Sequence, residues 1–443
     1  MNGNVKLILL VFFLAAVVRL AYLFENSSSP LFAWPVLDEQ SLDASGQEIA
    51  AGNFERGTDC FRAPLYPLFL GAVYSISHDN RFFVLRVVQH LLGALTCLFV
   101  FMVATEAFGR RAGIAAGILA ACYAPMVFFE GTILTETLFI FLIAFSLAGL
   151  VLGVARTSRP LLLAGGLALG LAAVTRPNIL VFAPVAILWL VFLPARNGWR
   201  QRVVRTGLVL LPLILVIGLS SARNYYATGD FVLISSQGGA NFYLGNGAGA
   251  SGMPPPTRMV YGTSGRIYSD AVEASSTEAV ERLMDSAAGN GSSATQPAPT
   301  VSPAAVSAVC YRATLAHING NRIEWLKLMV RKLVLFWNDF EIPNVKDFYF
   351  WKQSSVTLSV LPISFGTLSA LGLLGAIVTI RRQTPGAALV NLYVLSFMAG
   401  IILFFVCARL RLPVIVGLLP LAGAGIVAMI DTIGTRAWRN LAS

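Results

Sequence analysis

The sequence predicts an all-α polytopic membrane protein, and three observations predict it. Of 443 residues, 56% are hydrophobic and only 12% charged, with a mean hydropathy of +0.72, whereas soluble domains carry about 25% charged residues. Apolar runs of roughly 20 residues, the length that crosses a hydrocarbon core, recur along the chain. Basic residues gather in every second short connection between those runs, which is the pattern of the positive-inside rule. The net charge of +10 is thereby a topology signal and not a nucleic-acid-binding stripe.

About ten runs qualify by length and hydropathy. They are residues 7–24, 84–106, 113–130, 135–154, 161–175, 178–193, 206–222, 357–380, 387–407 and 414–431. The first, Leu7 to Phe24, lacks a small-residue cleavage site and reads as an uncleaved span, not a signal peptide. The fifth and sixth are separated only by Thr175-Arg176-Pro177-Asn178, where proline ends one helix before the next begins. Lys6, Arg110-Arg111, Arg156/Arg159, Arg196/Arg200/Arg202/Arg205, Arg381-Arg382 and Arg436/Arg439 share one side when the spans alternate. That side is cytoplasmic, and both termini lie on it. The first loop, the Ala124–Thr135 loop and the long 223–356 segment are then outside.

The chain divides into an N-terminal transmembrane module (1–222), which includes the first outer loop (25–83) as its catalytic candidate, the long extracytoplasmic segment (223–356), and C-terminal transmembrane helices (357–443). In the first loop, Gln40 to Ala51 forms a short helix ended by Gly52-Asn53. Pro64 to Ile76 is apolar but too short to span, which predicts an interfacial or re-entrant helix. In the long segment, 231–244 reads as extended or irregular. Residues 245–305, rich in Gly, Ser, Ala and Pro, read as a mobile loop. Residues 323–337 (IEWLKLMVRKLVLFW) carry the pattern of a helix lying on the membrane surface, with a buried span as the alternative. Five cysteines are too few for a disulfide scaffold. Cys97, Cys122 and Cys407 read as core, whereas Cys60 and Cys310 fall outside the cytoplasm, where they stand either bridged or free.

The chemistry concentrates in the first outer loop. Asp38 and Glu39 form a carboxylate pair beside the bilayer, an expensive placement unless water, a cation or chemistry uses it. The plainer reading is a helix start, with Asp38 capping and Glu39 favouring the dipole; the functional one is a general base facing a membrane-level cavity. Glu130 and Glu136 lie at the outer ends of the third and fourth spans and offer a second carboxylate for an acceptor, a metal or a sugar hydroxyl. Glu136 also suits the first turn of a helix. Outer cations near span ends are Arg62, Arg81, Arg86, Arg176, Arg223, Arg409 and Arg411. Each either snorkels or binds a phosphate through its planar fork. Residues 247–252 match G-x-G-x-x-G, but no strand–helix frame surrounds them, so a dinucleotide site is rejected. No Walker A sequence and no His/Cys metal cluster is present.

Four stretches together resemble the GT-C superfamily of membrane glycosyltransferases, specifically family-39-like enzymes related to protein O-mannosyltransferases and the lipid A aminoarabinose transferase. They are Asp38-Glu39 after the first span, Arg62-Ala-Pro-Leu-Tyr-Pro67, Arg223-Asn224 with Gly238-Gly239-Ala240-Asn241-Phe242-Tyr243, and Ala408-Arg-Leu-Arg-Leu-Pro413. Phe336-Trp337 with Glu341-Ile-Pro343-Asn344 is a looser fifth. The resemblance implies a GT-C-like bundle of about 10–12 transmembrane helices with outer-face interfacial helices and one long outer loop. It implies an inverting transfer of a sugar from a polyprenyl-phosphate donor to a glycan, lipid or protein acceptor, on the outer face of a bacterial cytoplasmic membrane. Asp38 is then the base, with Glu39 beside it, and Arg62, Tyr66, Arg223, Arg409 and Arg411 are the donor-phosphate residues. No cofactor is implied, and a divalent metal is not indicated. The chain departs from the family in its Gly/Ser/Pro-rich insert within 245–305 and in lacking a sizeable soluble domain after the last span. The rival readings are a flippase of lipid-linked sugars, for which internal repeats are expected and none is seen, and a polymerase or ligase using pyrophosphate-linked glycans.

Overall fold

The computed structural model describes residues 3–54, 60–194, 198–254, 303–380 and 384–441, and among these every regular element is helical. In chain order they are α1 (Gly3–Ser27), α2 (Asp38–Ala50), α3 (Leu65–Ser77), α4 (Arg81–Phe108), α5 (Arg110–Ala121), α6 (Ala124–Glu130), α7 (Glu136–Ala155), α8 (Arg159–Ala173) and α9 (Phe182–Phe192), the last entered through a 3-10 turn at Pro177–Val181. Then follow α10 (Gly198–Thr228), α11 (Gln237–Asn246), α12 (Pro303–Gly320), α13 (Arg322–Trp337), α14 (Phe348–Gln353), α15 (Val356–Val360), α16 (Phe365–Thr379), α17 (Pro385–Leu403), α18 (Ala408–Arg411) and α19 (Ile415–Leu441). Among the described residues, 6 helices are long and apolar enough to cross a membrane, or up to 7 with a bent pair counted as one span. Four shorter apolar helices accompany them. The protein is a polytopic all-α membrane protein.

Prolines account for the departures from the predicted spans. The 113–130 run is not one helix: α5 and α6 bend by 52° at Cys122-Tyr123, because Pro125 opens α6 and biases the residue before it away from helical angles. The 357–380 run breaks into α15 and α16 around Pro362. The predicted irregular stretch 231–244 holds for 231–236 but is corrected from Gln237, since Gln237–Asn246 is helical. Its glycines are poor helix formers, but they let α12 approach: a Cβ on Gly239 would meet the Ser307 carbonyl oxygen at 2.1 Å. Residues 323–337 are helical as expected, within α13, which turns Ile323, Leu326, Val330 and Val334 outward. Most of the expected mobile loop within 245–305, together with Arg196 and Arg381-Arg382, lies outside the described residues.

The bundle closes through small residues, which let helix backbones approach where lipid supplies no hydrophobic drive. Helix α19 packs against α16, α5 and α4, while α7 packs on α4 and α8, and α8 on α10. Between α16 and α19, a Cβ on Gly375 would lie 1.8 Å from the Leu421 carbonyl oxygen, and one on Gly425 2.2 Å from that of Leu371. Gly149 and Gly165 bring α7 and α8 together in the same way, at 2.8 Å. Cys60 and Cys310 are both buried free thiols, so the bridged alternative is not realised.

Candidate active site

Asp38 opens α2, and the residue before it carries strain. Leu37 has φ 54, a left-handed angle rare for a branched side chain; such outliers cluster at functional sites. Asp38 is therefore the first helical residue and makes no capping bond at the start of α2. The plain capping reading fails. Its Oδ2 accepts from Arg409 Nη1 at 2.8 Å and its Oδ1 from Arg62 Nη2 at 3.3 Å, with its side chain 42% exposed. Burial pushes the Asp38 carboxyl up, but the Arg409 and Arg62 guanidiniums override this and hold it below the usual carboxylate range.

Arg409 joins Asp38 to Glu136. Its Nε donates to Glu136 Oε1 at 2.7 Å, and its Nη1 also reaches Asn344 Oδ1 at 3.1 Å. Its Nη2 has no partner among the described residues. Arg176 Nη1 donates to the same Glu136 Oε1 at 2.5 Å, so one carboxylate oxygen takes two guanidiniums. Glu136 Oε2 stays buried with no partner among the described residues. The cluster thus combines Asp38 and Glu136 with Arg62, Arg176 and Arg409. Among the described residues the cluster sets three guanidiniums beside two carboxylates, groups of the kind that bind an anion.

The rest of the site is scaffold. Glu39 is fully buried, accepting from the Ile133 amide at 2.9 Å and from Lys346 Nζ at 2.9 Å. It locks α2 to the turn before α7 and to the 338–347 strap, so it fixes Asp38 without sharing its exposure. Tyr66 donates to Gln89 Oε1 at 2.8 Å, and Gln89 Nε2 donates to the carbonyls of Glu130 and Thr132. Tyr66 supports that same turn and is fully buried, a position that corrects its expected contact with donor phosphate.

Arg411 is also corrected. Its Nη2 donates to Glu341 Oε2 at 2.7 Å and to the Phe340 carbonyl, its Nη1 to the carbonyls of Phe336 and Asn338, and it stacks over Phe365. These bonds tie the end of α13 and the strap down, and its side chain is 1% exposed. Tyr123 completes that anchor, donating to Glu341 Oε1 at 3.0 Å. Arg223 donates to Asn224 Oδ1 at 3.0 Å and lies beside Cys60, next to the loop that carries Arg62.

Glu130 does not join the cluster. Its Oε1 accepts from Arg19 Nη2 at 2.8 Å, and its Oε2 lies 3.1 Å from His90 Nδ1, which makes a separate buried knot between α1, α4 and α6. Sequence reasoning gave no particular role to Arg176 and missed Lys346. A signal for Arg176 existed: the residue before a proline is held extended, and Arg176 has φ −150 and ψ 114, which removes its side chain from both neighbouring helices.

Among groups of three or more His, Cys, Asp and Glu, the described residues offer none arranged to hold a metal.

Comparison with known proteins fits this architecture. The family model described as dolichyl-phosphate-mannose-protein mannosyltransferase matches residues 62–220. No curated protein matches the chain significantly in sequence. Among solved structures, the chain is similar to the oligosaccharyltransferase of Archaeoglobus fulgidus in its apo form, with 14% identity and a TM-score of 0.56, covering 98% of this chain and 52% of that one. It is similar to the same organism's AglB in complex with an inhibitory peptide and a dolichol-phosphate, with 15% identity and a TM-score of 0.57, covering 100% and 52%. A looser likeness is to ArnT from Cupriavidus metallidurans bound to undecaprenyl phosphate, with 16% identity and a TM-score of 0.40, covering 94% and 78%. The chain spans about half the length of the oligosaccharyltransferases it matches. The chain shares the helical membrane fold of those oligosaccharyltransferases, and the segment matched by the mannosyltransferase model contains Arg62, Glu136 and Arg176 but neither Asp38 nor Arg409.

Proposed function

We propose that the chain is an inverting glycosyltransferase that moves a sugar from a polyprenyl-phosphate donor to an acceptor hydroxyl. The reaction takes place on the outer face of a bacterial cytoplasmic membrane, the face opposite the arginine-rich connections. One observation carries the reading: a half-exposed carboxylate, Asp38, is held at an arginine whose Nη2 edge has no partner among the described residues. A base and an anion-binding donor thus meet at one point, inside a fold whose mannosyltransferase-family match begins at Arg62.

Asp38 takes the proton of the acceptor hydroxyl. The acceptor oxygen attacks the anomeric carbon, the carbon–oxygen bond to phosphate breaks, and its electron pair leaves on the polyprenyl phosphate. A single displacement inverts the anomeric centre. Arg409, Arg176 and Arg62 stabilise the charge that develops on the leaving phosphate, which is electrostatic work and not proton transfer. The reading calls for no cofactor; a glycan, a lipid or a protein can serve as acceptor.

Purified protein in lipid nanodiscs, incubated with a radiolabelled polyprenyl-phosphate sugar, tests this. Release or transfer of the labelled sugar is expected. Label that crosses a proteoliposome bilayer with its phosphate bond intact identifies a flippase instead.

A further inference from the structure

We infer that Arg409 is the pivot through which the donor's phosphate turns Asp38 into a competent base, with Glu136 as the anchor of that pivot. The inference rests on the reading of the cluster as a donor-phosphate site and concerns how that site is regulated.

The geometry is that of a guanidinium with one end fixed and one end exchangeable. Arg409 Nε is held by Glu136 Oε1, a fully buried carboxylate, while Nη1 is shared between Asp38 Oδ2 and Asn344 Oδ1. The Asp38 end is the accessible one, because Asp38 is 42% exposed and Glu136 not at all. Glu136 also holds Arg176 on the same oxygen, so the anchor survives whatever Nη1 does. Among the described residues, the charged groups in contact with Asp38 are cationic, Arg62 from the loop before α3 and Arg409 from α18, with Arg176 behind them across Glu136. Held between two guanidiniums, Asp38 is a poor proton acceptor.

A donor phosphate competes with Asp38 for the same N–H groups and binds Arg in the same forked geometry. When it takes the Nη1/Nη2 edge, Asp38 loses its strongest partner and its proton affinity rises. The acceptor hydroxyl then gives its proton to Asp38 as its oxygen bonds to the anomeric carbon and the phosphate departs. Before donor binding the base is masked, so no hydroxyl is activated without a sugar to receive it.

Competition predicts a sign that simple contact does not. Removing Asp38 removes the rival for Arg409, so an inactive variant should hold the donor phosphate more tightly. Undecaprenyl phosphate binding is measured in nanodiscs for the wild type, Asp38→Asn, Arg409→Ala and the double variant, with Asp38→Ser in reserve should the Asn variant not fold. Asp38→Asn is expected to bind about tenfold more tightly, the lower end of the coupling seen for close charge pairs. In the Arg409→Ala background the same substitution should change affinity by less than about twofold, since the shared partner is gone. Unchanged or weaker binding by Asp38→Asn overturns the inference. So does a tightening that persists without Arg409, which marks a general charge effect. If those results accompany normal binding and sugar transfer by the wild type, the transferase reading stands and only the pivot falls. A wild type that binds no undecaprenyl phosphate removes the donor reading and the pivot with it.

Discussion

The Glu130 and Asp38 clusters are both built from acids and arginines, and they differ in closure more than in composition. Around Glu130, Arg19 and His90 fill both carboxylate oxygens, and the three side chains are 4%, 1% and 3% exposed. Tyr22 covers the His90 ring edge-on at 5.9 Å, and a Cβ at Gly93 would strike the Glu130 carboxylate at 2.1 Å. Arg19 Nε and His90 Nε2 have no partner among the described residues, but the cluster is sealed from the surface. Around Asp38 the same residue types are left open: the carboxylate faces outward, and an arginine edge has no partner among the described residues. Charges paired and sealed from solvent hold helices together, whereas charges held in position but exposed are available to a ligand. The difference marks the Glu130 cluster as a joint between α1, α4 and α6, and the Asp38 cluster as the one open to a ligand.

The comparison breaks most visibly at Asp38. Asp38→Asn preserves size and, because Asp38 makes no cap bond, disturbs α2 little. Transfer should fall by about 10²-fold or more, the range for loss of a general base, with the thermal midpoint near that of the wild type. Near-normal turnover by a folded Asp38→Asn protein would reduce Asp38 to an ornament of the arginines. Glu130→Gln should do the reverse. Breaking a buried ion pair costs about 3–5 kcal/mol of stability, so its thermal midpoint should drop clearly. Turnover per folded molecule should stay within about twofold of the wild type, an order-of-magnitude expectation for a site outside the reacting groups. A stable Glu130→Gln protein with no activity would erase the distinction between the two clusters.

Much of this was legible in the sequence, for physical reasons. Apolar runs and arginine spacing report the bilayer directly, so the membrane helices follow from composition and periodicity. Asp38 was legible because a carboxylate pair beside a membrane is costly enough to need a reason. The partners were harder to read. Arg409 reaches Asp38 across 371 positions of chain, and local spacing carries no trace of such a contact. Arg62, Arg409 and Arg411 looked alike as outer arginines. Only the fold shows that Arg411 is consumed by Glu341 and the carbonyls of the strap, while Arg409 keeps an edge without a partner among the described residues. Glu39 and Asp38 are adjacent in sequence yet diverge completely, because successive helical residues point to different faces. Glu39 turns into the protein toward Lys346 and Asp38 turns out. Helix α11 was missed because its glycines serve close packing against α12, a tertiary requirement that outweighs local propensity.

The most direct test is a structure of the protein with a polyprenyl-phosphate sugar bound in a nanodisc. The account predicts the phosphate on the Arg409 guanidinium with Arg176 and Arg62 around it, Arg409 still bonded through Nε to Glu136, and Asp38 facing the anomeric carbon from the opposite side. A phosphate seated elsewhere in the bundle, with Asp38 still clasped by Arg409 and Arg62 and far from the sugar, would contradict it.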